Sequence, residues 1–142
     1  RVEATGRGVQ YALREFFRHP EDVKQANMTG TLEGKTCVIQ GLGNVGYHAA
    51  KFLSEEDGVK ITAVIKHNGA VINDEGIDIE QLYQHIKDHD GIQSYPCAQF
   101  VEQGQEVLEK KCDILIPAAV EGQITMKNVD HIKAKLIVEA AN

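Results

Sequence analysis

Thr36-Cys37-Val38-Ile39-Gln40 is a short β-branched run that ends on Gly41-Leu42-Gly43-Asn44-Val45-Gly46. Beyond it the apolar period changes. Val45, Ala49, Phe52 and Leu53 recur at helical spacing. A buried strand that passes through Gly-x-Gly-x-x-Gly into a helix leaves few folds open. Gly41 permits a tight turn, Gly43 leaves bare backbone that a pyrophosphate can approach, and Gly46 lets helix and strand pack closely. Phosphates would then face free N–H groups of Asn44 and Val45 at the helix start. The strand before and the helix after separate this motif from an ordinary turn that uses glycine only for positive φ.

The remainder of the chain keeps the same alternation. Val9, Ala12, Leu13, Phe16 and Phe17 mark a helix face that stops at His19-Pro20, and residues 21–35 read as a turn-rich connection with Gly30 and Gly34. Val59–Ile65 is a second strand, and Asn68-Gly69 is a turn signal before a hairpin arm at Ala70–Ile72. Asp78 is an N-cap with Gln81 three residues on, and Ile79, Leu82, Tyr83 and Ile86 form the inner face of the helix it starts. Tyr95–Val101 reads as a weak strand and Gln103–Lys111 as a short helix. Asp113–Ile116 is a buried strand stopped by Pro117, Val129 and Ile132 suggest a further short helix, and Leu136–Ala140 is a last strand. Strand and helix in turn predict an α/β fold, a doubly wound parallel sheet with helices on both faces.

Composition excludes several classes. The 142 residues suit one domain, and a net charge of −6 argues against a nucleic-acid partner. No apolar run approaches a membrane span, and the start has no signal-peptide pattern. The three cysteines, Cys37, Cys97 and Cys112, are widely spaced, and Cys37 and Cys112 sit in apolar stretches, as reduced core residues do. The six histidines do not cluster, so His85 and His89 read as a solvated helix face, and no metal is expected. The chain starts at Arg1 without Met and stops at Asn142 just after an apolar run, as an excised domain would.

In a parallel sheet, ligands bind beyond the carboxyl ends of the strands. Gly41–Gly46, Lys66–Gly69, Pro117–Ala119 and Glu139–Asn142 all fall there. Ala118 and Ala119 would let a flat ring approach the backbone, and the Asn142 amide matches a carboxamide such as that of nicotinamide. One residue breaks the pattern. About 20 residues past the last glycine, an NAD site normally places Asp or Glu for the ribose hydroxyls. Here the position holds Lys66, followed by His67 and Asn68, and no carboxylate occurs between Asp57 and Asp74. That predicts use of NADP, or tolerance of both NAD and NADP.

Ala4-Thr5-Gly6-Arg7-Gly8-Val9, Gln40–Gly46, Asn68–Asn73, Gly76-Ile77-Asp78, Cys112–Ala119 and Ile132–Lys135 running to Ala141-Asn142 resemble the cofactor domain of glutamate dehydrogenases. The resemblance covers essentially the whole chain. It implies a Rossmann-like domain over residues 1–142, with the substrate domain and a C-terminal remainder outside it. It implies reversible oxidation of L-glutamate to 2-oxoglutarate and ammonia by hydride transfer to NAD or NADP. By position, Thr5 and Asn142 match residues that hold the nicotinamide carboxamide, and Gln40, Asn44 and Val45 match the pyrophosphate turn. Arg1 matches a residue at the substrate side of the cleft. The family's catalytic Lys and Asp belong to the preceding substrate domain, so no catalytic residue is assigned here. Family members are usually hexamers, which implies a homo-oligomer, in the cytoplasm or, in a eukaryote, the mitochondrial matrix. Leucine, phenylalanine and valine dehydrogenases share the glycines but not the Asn68–Asp78 or Ile114–Ala119 stretches. A non-catalytic NAD sensor of the ion-channel type would have no reason to carry the leading Ala-Thr-Gly-x-Gly-Val helix.

Overall fold

The computed structural model describes residues 2–119 and 131–140. The chain starts in α1 (Val2–Phe17) and a short α2 (Pro20–Gln25). Then follow β1 (Thr36–Gln40), α3 (Asn44–Asp57), β2 (Lys60–Lys66) and β3 (Gly69–Ile72). After these come α4 (Ile79–His89), β4 (Gln99–Val101), α5 (Gly104–Leu108), β5 (Cys112–Pro117) and β6 (Ala134–Ile137). The strands form one sheet in the order β4-β3-β2-β1-β5-β6.

The parallel pattern expected from the alternation holds for β2, β1, β5 and β6. It does not hold for β3 and β4, each antiparallel to its predecessor in the sheet. Only the His67-Asn68 turn joins β2 to β3. So short a link can only double back, because a parallel neighbour needs a crossover of a dozen or more residues. The hairpin arm read from Asn68-Gly69 is therefore what turns a parallel sheet into a mixed one.

Both faces are covered. On one, Cys37, Ile39, Ile114 and Ile116 pack with Leu13, Ala49, Ala50 and Leu53 of α1 and α3. On the other, Val38, Ala63, Ile65, Ala70 and Leu115 meet Val107 and Leu108 of α5. β2 contributes to both in an irregular way. Cys37 pairs with Ile61 but Val38 pairs with Ala63, so Thr62 is an extra residue in β2, a β-bulge. Its hydroxyl points back at the Cys37 carbonyl at 3.4 Å. The bulge puts Ile61 and Val64 on the same face, where strict alternation would separate them.

Several boundaries differ from the sequence reading. The turn-rich 21–35 stretch includes α2, because Pro20 is accommodated in a first helical turn and Val23 finds a buried site. Tyr95 is not in a strand. It is buried at the loop before β4, its hydroxyl donating to Gln81 Oε1 at 2.5 Å. Ile132 lies just before β6, outside any helix, and Val129 is outside the described residues. The Asp78 cap is as read: its carboxylate accepts from the Gln81 N–H at 3.1 Å.

Candidate functional site

β1 has β2 on one side and β5 on the other, so the chain leaves it in opposite directions. This is the switch point at which a doubly wound sheet opens a crevice. The glycine turn lies there. Gly41 takes φ +97, donates its N–H to the Ile65 carbonyl at 2.7 Å, and lies under the backbone of Ala119. A Cβ at Gly41 would come within 2.9 Å of the Ala119 nitrogen. A Cβ at Gly46 would run into the Gly41 carbonyl oxygen and touch Ala118. These two glycines are thus demanded by the protein's own packing. Gly43 is different. Its φ of −79 suits any residue, and a Cβ there would meet nothing within 4 Å.

Gly43 is also the N-cap of α3, with no side-chain cap and no acid in the first turn. The N–H groups of Asn44, Val45 and Gly46 start the helix without intrahelical acceptors, while Tyr47 N–H is already bonded to the Gly43 carbonyl at 2.9 Å. Beside this turn is a cleft of about 570 Å³, well inside the range of small-molecule sites. Gln40, Gly41, Gly43, Lys66, Ala118 and Ala119 line it, as do Leu42, His67 and Gly69. The far wall is Glu102 and Gln103 of the β4–α5 connection with Gly104 and Gln105 at the start of α5. Gln40 is buried, and its Oε1 has no hydrogen-bond partner among the described residues.

Of the residues singled out from sequence, Thr5, Asn44, Val45 and Gly46 do not line this cleft. Thr5 is exposed on α1, next to Gly6. Gly6 is where α1 crosses α3, and a Cβ there would meet His48 Cβ at 2.7 Å. Asn142 and Arg1 lie outside the described residues. The 102–105 wall was not anticipated. Its sequence signal is faint: a three-residue strand and a glycine at a helix start. Gly104 is small because a Cβ there would press on Ile65 Cγ2 at 3.1 Å and on the Gly69 carbonyl carbon at 3.3 Å.

Other reactive groups lie elsewhere. Cys37 and Cys112 are both buried among apolar side chains, and burial pushes the Cys37 thiol well above its ordinary range and the Cys112 thiol up to about 11, away from the thiolate. A second hollow of about 370 Å³ lies against α4. Its His85 and His89 rings stack at 4.1 Å, with His85 Nε2 3.1 Å from Ser94 Oγ. Among the described residues no group of three or more His, Cys, Asp or Glu is placed to hold a metal. Among them, too, no helix is long and apolar enough to cross a membrane.

A glycine turn at a sheet switch point, leading into an uncapped helix, defines a Rossmann-like domain. The whole chain, residues 1–142, matches the Glutamate/Leucine/Phenylalanine/Valine dehydrogenase family, and the chain belongs to it. It is 49% identical over 142 residues to the mitochondrial glutamate dehydrogenase of Dictyostelium discoideum, covering 100% of this chain and 28% of that one. It is 42% identical over 142 residues to the glutamate dehydrogenase of Aeropyrum pernix, covering 100% of this chain and 32% of that one. Among solved structures, it superposes on a glutamate dehydrogenase with a TM-score of 0.81 at 29% identity, over 100% of this chain and 32% of that chain. On the hetero-hexameric glutamate dehydrogenase of Thermus thermophilus, the TM-score is 0.79 at 26% identity, over 100% of this chain and 31% of that chain. The chain thus spans about a third or less of the length of these relatives.

Proposed function

We propose that residues 1–142 form the NAD(P)-binding domain of an amino-acid dehydrogenase. In the full-length protein it would serve the reversible oxidative deamination of L-glutamate to 2-oxoglutarate and ammonia. The observation that carries this is Gly43. Neither its backbone angle nor a neighbouring atom requires a glycine, so the empty space beside it is the remaining physical reason. A pyrophosphate in that space would meet the open N–H groups of Asn44, Val45 and Gly46 and the positive end of the α3 dipole. The adenosine half would run into the cleft toward Lys66, and Gln40 would bring an unpartnered acceptor to its floor.

A bound nicotinamide ring supplies the hydride acceptor or donor. This chain's own part is to hold and orient. Ala118 and Ala119 leave the end of β5 open to a flat ring, and Thr5 and Asn142 are assigned to the carboxamide. Arg1 is left at the substrate side, and no residue of this chain is given a proton-transfer role. Glutamate is preferred to leucine, phenylalanine or valine because the relatives at 42–49% identity are named glutamate dehydrogenases. An assembly of hexameric type is supported by the hetero-hexamer named for the Thermus structure, and for this chain a homo-oligomer is proposed. Cytoplasm or mitochondrial matrix is the proposed location.

The test is Gly43→Val in the full-length protein, titrated with NAD and NADP by calorimetry. The variant is expected to keep its fold and lose both cofactors. Affinities equal to wild type would mean that the turn does not face a dinucleotide.

A further inference from the structure

Resting on that cofactor reading, we infer that Glu102 supplies the carboxylate that the end of β2 lacks, and so sets the balance between NAD and NADP against Lys66. The sheet register brings the two residues together. Lys66 pairs with Gly69, and the next rung pairs Ala70 with Val101. One residue past β4, Glu102 falls level with Gly69 and hence in the same transverse row as Lys66. Residues in one row project from the same face of a sheet. Two strand spacings separate their backbones, about 10 Å. Between them Gly69 has no side chain, and none would fit: a Cβ there would lie 2.7 Å from the Phe100 ring and from the Val101 carbonyl oxygen. The row has a cation on one bank and a carboxylate on the other, with the Gly69 backbone and the Phe100 ring between them.

Both banks line the same cleft, and Glu102 is the only carboxylate among its described lining residues. Glu102 is exposed, and Gly104, two residues on at the start of α5, packs against Ile65 and Gly69. The chemistry of the two side chains is complementary. A ribose with free 2′ and 3′ hydroxyls has hydrogens to give, and an ammonium cannot accept them. A carboxylate can. A 2′-phosphate has only acceptors and negative charge, which Lys66 attracts and Glu102 repels. The row therefore admits both forms of the ribose, each read by the opposite bank. The acid has moved from the end of β2 to the end of β4.

The test uses binding, with the full-length protein and two probes that lack nicotinamide, ADP-ribose and 2′-phospho-ADP-ribose. Glu102→Gln keeps the shape and removes the charge. It is expected to weaken ADP-ribose about fivefold or more, while 2′-phospho-ADP-ribose binds as well as to wild type or better. ADP-ribose affinity within twofold of wild type overturns the inference. So does an equal loss of both probes, which would mean a structural role for the loop. If wild type binds both probes, Gly43→Val binds neither and Glu102→Gln matches wild type, the cofactor reading stands and this inference alone falls. If wild type binds neither probe, both fall.

Discussion

Under the proposed cofactor reading, much rests on one side chain, Lys66. Its ammonium donates and never accepts, so it can pair with a 2′-phosphate but cannot take the hydrogen that a free ribose hydroxyl offers. An exposed charge pair adds only about 0.2–1 kcal/mol, whereas a well-formed hydrogen bond to a charged group adds about 1.5–3. Lys66 is half-buried at the cleft wall, which favours the larger range. Lys66→Glu is expected to lower the NADP/NAD ratio of kcat/KM at least about tenfold, equivalent to ~1.4 kcal/mol. Steady-state kinetics with both cofactors measures it, and an unchanged ratio would remove Lys66 from the 2′ position. Gly46 makes the opposite kind of case. A single methyl there collides with the Gly41 carbonyl, which is backbone and cannot rotate away. Gly46→Ala should destabilise the fold by roughly 1–3 kcal/mol, as overpacking does. Thermal unfolding would show it as a lowered Tm, and an unshifted Tm would mean that the turn relaxes freely.

At the scale of elements, the junction of α1 with the end of α3 holds the start of the chain on the sheet. Gly6 allows the close crossing, and a polar cluster closes it. Arg7 reaches Glu56 at 2.6 Å, Arg14 reaches Asp57 at 3.0 Å, and the buried Gln10 donates to Asp57 at 3.0 Å. The hydrogen bond from Arg7, then that from Gln10, holds the Glu56 carboxyl below its ordinary value of 4.5. A folded-state value below the unfolded one means that stabilisation is present above about pH 4.5 and is lost as pH falls through the lower folded value. Glu56→Gln should therefore be less stable than wild type at neutral pH, and the two should converge in acid. Denaturant unfolding at about pH 7 and about pH 3 measures this, and a constant difference would place the effect elsewhere than in the charge. α4 offers a simpler case. Asp78→Ala removes the acceptor for the Gln81 N–H and should cost about 1 kcal/mol, read from the same unfolding curves.

For the whole molecule, the expected behaviour of the 142 residues alone is cofactor binding without glutamate turnover. Hydride transfer needs the substrate carbon held against the nicotinamide, and that positioning supplies much of the rate. The relatives are between three and four times as long, and no residue of this chain is assigned to the substrate carbon. Glutamate-dependent formation of NADH or NADPH by the 142-residue chain would refute the assignment. What could be read ahead of the structure follows from how local each signal is. The β1 turn and the Asp78 cap depend on a few consecutive residues, so their geometry is written in adjacent letters. The same holds for the hairpin at Asn68-Gly69. The carboxyl edge of the sheet could be named as well, because parallel strands joined by helices all point one way, but the strand order and its switch point could not. The face that Lys66 presents was not readable. It depends on the bulge at Thr62, and the three residues that follow, Ala63-Val64-Ile65, are all apolar, so their pattern cannot mark where alternation slips. The meeting of Lys66 with Glu102 was not readable either. It is made by two antiparallel pairings across β3, and such register is settled by many small packing terms summed over the sheet, not by either residue. The sequence by itself determined that a glycine turn follows β1, where the cleft opens. Only the tertiary structure decided which charges stand around it, because strand pairing joins residues that the chain keeps far apart.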